Sequence, residues 1–162
     1  MLKRKRQCLN AGYIAYMPGN YIHFFTADTQ AQQQRKQDVW ARQQKQIVTA
    51  VEARQGNDYD KMSWYQQHIN SGLLYRIGAM LFPRWDVLFR VDGQCNACGL
   101  CADVCPVENI EMKNGKPKWR HHCEQCLACI NLCPQAAIQS SRRTPHRKRY
   151  RNPHVDIKDL MR

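Results

Sequence analysis

One pattern of cysteines is written twice between Cys95 and Cys133, and it leaves the chain little freedom in how to fold. The first copy runs Cys95-Asn-Ala-Cys98-Gly-Leu-Cys101-Ala-Asp-Val-Cys105-Pro106, the second Cys123-Glu-Gln-Cys126-Leu-Ala-Cys129-Ile-Asn-Leu-Cys133-Pro134. Each cysteine of the first recurs 28 positions later (123 − 95), so eight of the nine cysteines obey one repeat and Cys8 stands apart. Three thiols spaced two residues apart can close round one face of a polynuclear metal group, with the intervening backbone N–H groups turned towards it. The fourth lies too far along, at the start of a short helix, to reach the same group, and is expected to serve the other copy.

This is the C-x2-C-x2-C-x3-C-P spacing of bacterial two-cluster ferredoxins, which the segment resembles. The resemblance implies two [4Fe–4S] clusters. Cys95, Cys98, Cys101 and Cys133 are expected to hold one, and Cys123, Cys126, Cys129 and Cys105 the other. Such crossed ligation would make metal binding and folding one event. Pro106 and Pro134 stop helical continuation after the last cysteine of each run. Gly99 supplies backbone freedom where Leu127 stands in the second copy. Structural zinc is the competing reading of C-x2-C pairs, but a third cysteine in register and the Cys-Pro step would then have no task. Disulfides are not expected: Lys3 to Arg6 are basic, but no apolar stretch follows as in an export signal.

The net charge of +12 is unevenly placed. From Asp92 to Ser140 the acids Asp92, Asp103, Glu108, Glu111 and Glu124 nearly balance Lys113, Lys116, Lys118 and Arg120. The excess lies at Lys3 to Arg6 and at Arg142, Arg143, Arg147, Lys148, Arg149 and Arg151. These flanks read as solvated ends, with steering of an acidic partner as the functional alternative. The longest apolar stretch, Leu73 to Phe82, is interrupted by Arg76 and falls short of the roughly 20 residues of a membrane span, so none is expected.

Residues 1–10 read as the end of a basic helix. Gly12 to Met17 reads as a buried strand running into a turn at Pro18-Gly19-Asn20. Thr26 or Asp28 is expected to cap a helix reaching about Arg54, with Trp40, Ile47, Val48 and Val51 as its packing face, ended by Gly56-Asn57-Asp58. Residues 63–83 predict a second helical stretch carrying Leu73, Leu74, Ile77, Met80 and Leu81, broken around Gly78 and stopped before Pro83. Leu88 to Val91 predicts a strand, paired with a last strand at Ala137 to Gln139. Asn114-Gly115 predicts a hairpin turn joining Ile110–Met112 to Pro117–Trp119. Val91, Val104, Ile110, Leu132 and Ile138 form the expected small core, stapled by the clusters. His121 and His122 read as exposed loop residues, and Cys8 as an ordinary thiol.

Beyond the cysteines, the chain resembles fusions of a flavodoxin-like domain with a C-terminal two-cluster ferredoxin. Met17-Pro-Gly-Asn-Tyr21, Gly99-Leu-Cys-Ala102, Gly115-Lys-Pro-Lys-Trp119, Cys129-Ile-Asn-Leu-Cys-Pro134 and Arg149-Tyr-Arg-Asn-Pro153 carry the likeness. The Ser/Thr/Gly-rich loop that cradles flavin phosphate in that family has no counterpart in residues 1–55, so FMN is not expected in this chain alone. The expected organisation is α+β: residues 1–55 a remnant of the flavodoxin-like α/β domain, 56–86 a helical linker, 87–141 a pseudo-twofold ferredoxin domain, 142–162 a basic tail. The resemblance implies a cytoplasmic electron carrier that serves a flavoprotein or oxidoreductase partner and is no enzyme by itself. It also leaves open a fragment of a flavin-dependent iron–sulfur oxidoreductase. A nucleic-acid-binding role for the Arg142–Arg151 tail is disfavoured, since Tyr150 alone offers a stacking surface.

Overall fold

The computed structural model describes residues 10–56, 72 and 74–161 of the chain. The readings of residues 1–9 (Cys8 included), of Asn57-Asp58, and of residues 63–71 and Leu73 in the second helical stretch lie outside them. Helices are combined with two small sheets. Helix α1 spans Gln30–Glu52 and α2 spans Tyr75–Leu81, followed at once by a 3-10 segment, Phe82–Leu88. Strand β1 is Arg90–Val91, α3 Leu100–Asp103, β2 Ile110–Lys113, β3 Lys116–Trp119, α4 Ala128–Asn131 and β4 Ile138–Gln139. Two more 3-10 turns, Thr144–His146 and Ile157–Leu160, lie in the tail.

The predicted hairpin is present: β2 and β3 pair antiparallel with Lys113 opposite Lys116. Asn114 and Gly115 both take positive φ, 51° and 73°, the conformation a two-residue turn needs to match strand twist. The pairing of the first and last strands is also present, Val91 opposite Ile138, though β1 begins at Arg90 because Leu88 belongs to the 3-10 segment. The core comprises Ile22, Phe89, Cys105, Ile110, Leu127, Cys129, Ile130 and Ile138, with Val104 buried as well. Of the expected core, Val91 and Leu132 are only half-buried.

Four sequence expectations are corrected. Residues 10–20 form no strand, and Tyr13, Ile14, Tyr16 and Met17 are exposed. Among the described residues no other strand lies alongside to satisfy their backbone, and Gln43 Nε2 donates to the Ile14 carbonyl at 2.9 Å. Helix α1 starts at Thr29 rather than Thr26 or Asp28. Thr29 and Gln32 form a capping box there, which satisfies two donors reciprocally. The α1 stripe is not a packed face: the helix buries no residue, and Val48 and Val51 are exposed. Its Gln-, Ala- and Lys-rich sequence is helix-forming without that burial. Finally, Gly78 does not break α2. The Phe82 ring lies where a side chain at Gly78 would be (an added Cβ would sit 2.9 Å from it), and Pro83 is accommodated in the first turn of the 3-10 segment.

The tail is only in part a solvated end: Arg142, Arg143, Lys148 and Arg151 are exposed, whereas Arg147 and Arg149 are half-buried. Arg147 donates to the carbonyls of Ile22 and His23, Lys148 N to Thr26 Oγ1 at 3.0 Å, and Ala27 N to the Lys148 carbonyl at 3.1 Å. Tail and residues 22–27 thus clasp each other against the core. Ile22, 2 % exposed, is inserted into that core. Among the described residues no helix is long and apolar enough to cross a membrane.

Candidate metal centre

The repeat read in the cysteines is also written in the backbone. Ala97 and Gln125 have φ 59° and 55°, Gly99 and Leu127 80° and 59°, Glu108 and Ala136 51° and 49°; each pair is 28 residues apart. These left-handed residues turn the loops so that successive cysteines face inward. For a residue with a Cβ this costs about 1–2 kcal/mol. Leu127 offsets it by placing its side chain in the core at 2 % exposure, where Gly99 has no side chain to strain or bury.

The eight cysteines are brought together as the lining of two cavities. Cys95, Cys98, Cys101 and Cys133 line the first, with Met112, Pro117 and Ile138 among its apolar neighbours. Cys105, Cys123, Cys126 and Cys129 line the second, against Phe89, Trp119 and Leu127. Each cavity therefore takes three cysteines from one run and its last from the other. Among the described residues no three His, Cys, Asp or Glu side chains converge as the donors of a single ion would. Four thiols in each set, three of them at C-x2-C-x2-C spacing, suit a polynuclear group.

Polar groups at the rims already address sulfur. Asn109 N donates to Cys105 Sγ at 3.2 Å, and Ala137 N, at the matching position, to Cys133 Sγ at 3.3 Å. Gln125 N donates to Cys123 Sγ at 3.3 Å. Trp119 Nε1 is buried without a partner, a donor left over on a residue that lines the second cavity. Burial pushes the Cys101 thiol up to about 11, against the help of the Ala102 amide. Burial does the same to Cys123, about 11, opposed by the Gln125 amide and reinforced by the Asp86 carboxylate. Burial raises Cys129 further still. Crowded thiols of this kind bind metal as thiolates, so loading expels protons and neutralises the repulsion between them. The donor set and the N–H groups directed at sulfur fit an iron–sulfur cluster.

Several residues around the centre carried no sequence signal. Asp86, 1 % exposed, accepts from Asn109 Nδ2 at 2.8 Å and pairs with His121 Nδ1 at 2.7 Å. His121 is thus half-exposed, as expected of its loop, yet tied to a buried carboxylate; His122 Nε2 meets the Val107 carbonyl at 3.0 Å. The Arg149 guanidinium donates to the carbonyls of Ile130, Ala136 and Ile138. His23 bonds Gln125 Oε1 at 3.1 Å and stacks among Tyr21, Trp85 and Phe89. Burial, helped by Arg147, lowers its pKa against the Gln125 bond, which favours the neutral ring donating from Nε2.

Residues 94–146 match the family described as the 4Fe-4S dicluster domain, which supports a ferredoxin-type iron–sulfur domain in this part of the chain. Neither the curated proteins nor the solved structures searched gave a match. The flavodoxin-like likeness of residues 1–55 therefore rests on the sequence alone.

Proposed function

We propose that this chain is an electron-transfer protein holding two [4Fe–4S] clusters in a pseudo-twofold domain, one per cavity. The observation that carries the reading is the division of eight cysteines into two sets of four, each completed by the other run. A bound cluster supplies one-electron chemistry between adjacent oxidation states with no bond made to substrate. The chain's own part is to ring it with thiolates, direct the amides of Asn109, Gln125 and Ala137 at ligand sulfur, and keep water away with Phe89, Trp119, Leu127 and Ile138. Outer N–H groups and burial of this kind set potential.

On this reading the protein is a carrier rather than an enzyme, cytoplasmic, and serves another redox protein, with exposed Arg142, Arg143, Lys148 and Arg151 as the steering charges. The test is anaerobic purification with iron and sulfide analysis and EPR of the reduced protein: about eight irons per chain and interacting spins are expected. Cys105→Ala should remove the signal of the cluster held by Cys123, Cys126 and Cys129. Selective loss of the other cluster refutes the crossed assignment.

A second reading, the ferredoxin part of a flavin-dependent oxidoreductase, is favoured by one observation. Tyr21 and Arg149, from the segments that carry the fusion likeness, are both packed on the iron–sulfur domain. An in-frame upstream coding segment with a Ser/Thr/Gly-rich phosphate loop would support it, and its absence would count against it.

A further inference from the structure

The 28-residue repeat allows the surroundings of the two cavities to be compared position by position. At one pair of matched positions the backbone does the same thing: Asn109 N donates to Cys105 Sγ in the second cavity, Ala137 N to Cys133 Sγ in the first. What stands behind that amide differs in sign. Asn109 passes its side-chain Nδ2–H to the buried Asp86 carboxylate, 2.8 Å away. Around Ala137, the carbonyls of its two neighbours, Ala136 and Ile138, receive the Arg149 guanidinium at 2.7 and 3.0 Å, and the same guanidinium also reaches the Ile130 carbonyl beside Cys129. Both charges come from outside the repeat, Asp86 from the 3-10 segment before it and Arg149 from the tail after it.

Neighbouring groups partly offset this difference. His121 Nδ1 meets the other oxygen of Asp86 at 2.7 Å from a half-exposed side chain. Asp92 reaches Arg149 through Gln139, which donates to Asp92 Oδ2 at 3.0 Å and accepts from Arg149 at 3.3 Å. The matched amides are thus backed by groups of opposite sign, a buried carboxylate at the second cavity and a guanidinium at the first. Burial acts in the same direction. Cys105 and Cys129 of the second cavity are buried, whereas all four cysteines of the first are partly or fully exposed. Adding an electron adds negative charge, which a nearby anion and a drier site both disfavour.

We propose that the two clusters are unequal, the one held by Cys105, Cys123, Cys126 and Cys129 having the lower reduction potential, so that the chain passes electrons from the second cavity to the first. The inference rests on the two-cluster reading above. In the internal step one electron leaves the second cavity's cluster, oxidised by one, and enters the first cavity's, reduced by one; no proton moves and no bond breaks. A one-electron donor protein fills the second and a one-electron acceptor empties the first.

The test is a redox titration of the anaerobically purified full chain, followed by EPR, with dithionite as reductant. Two one-electron couples are expected, separated by at least tenfold in reduced-to-oxidised ratio at a common potential, or 59 mV. Cys126→Ser should perturb the lower couple and Cys98→Ser the upper. Asp86→Asn should raise the lower couple and leave the upper in place. A single unresolved couple, a lower couple that answers to Cys98→Ser, or an Asp86→Asn variant that moves the upper couple or both alike overturns the inference. If Asp86→Asn does not retain its clusters, the two serine variants decide the matter. A protein with far fewer than about eight irons would be a separate outcome, overturning the two-cluster reading and this inference with it.

Discussion

Replacing Arg149 with methionine tests whether the tail is a structural part of the iron–sulfur domain. The guanidinium caps three backbone carbonyls, two of them on Ile130 and Ile138, which are 0 % and 2 % exposed. A hydrogen bond from a charged donor contributes about 1.5–3 kcal/mol net, and a buried acceptor left without one costs a comparable amount. Arg149 itself is half-buried, so water can reach part of the vacated site. Taking the low end and letting water replace one bond gives a loss of about 3 kcal/mol, or roughly a hundredfold in equilibrium at 1.36 kcal/mol per decade. The assay is anaerobic urea unfolding of the cluster-loaded protein, followed by the sulfur-to-iron visible absorbance, with hydrogen exchange at the Ala27 amide. That amide is bonded to the Lys148 carbonyl at 3.1 Å and reports tail release directly. Arg149→Met should unfold and release its iron at lower urea, by the equivalent of about 3 kcal/mol, with Ala27 exposed in step. Arg149→Lys, which keeps the charge but not the planar fork, should fall between. A wild-type urea midpoint with a protected Ala27 amide would show the clasp to be incidental.

Two further expectations follow from the loops. Leu127→Gly removes a strain of about 1–2 kcal/mol but also a fully buried leucine and its contacts, about 2–5 kcal/mol, so the protein should be destabilised by roughly 2 kcal/mol in the urea midpoint; a stability equal to or above wild type refutes the argument. In apoprotein, alkylation mapped by mass spectrometry should reach exposed Cys98 and Cys126 first and buried Cys129 last. Cys101 and Cys123, whose thiols sit at about 11, gain thiolate as pH rises, so their rates should climb about tenfold per pH unit between roughly pH 7 and 9. A climb that levels off by about pH 9, as an ordinary thiol's would, would mean that the thiols are not raised.

What the sequence disclosed and what it hid divide by the range of the interaction. The Asn114-Gly115 hairpin and the β1–β4 pairing are short codes or fixed alternations, and both are present, with β1 shorter than expected. The Gly12–Met17 segment has strand-like composition, but composition cannot supply a neighbouring strand. The α1 stripe is helical in spacing, yet spacing does not say what would cover it. Arg149 was legible as a charge and illegible as a cap, because its partners are main-chain carbonyls 11 to 19 residues away and any sequence presents those. Asp86 and His121 lie 35 residues apart and share no motif. Leu127 is the instructive case. The sequence showed only that glycine was missing from a matched turn, and the structure shows that its side chain pays for the turn with burial.

Because each cavity borrows its last cysteine from the opposite run, neither stretch of chain can finish a binding site by itself. As the polypeptide leaves the ribosome, the second ring of thiols is complete only once Cys129 has emerged, the first only with Cys133, and Arg149 follows both. Metal loading of this domain is thereby postponed until its synthesis is nearly over, and a break anywhere between the runs would forfeit both sites together.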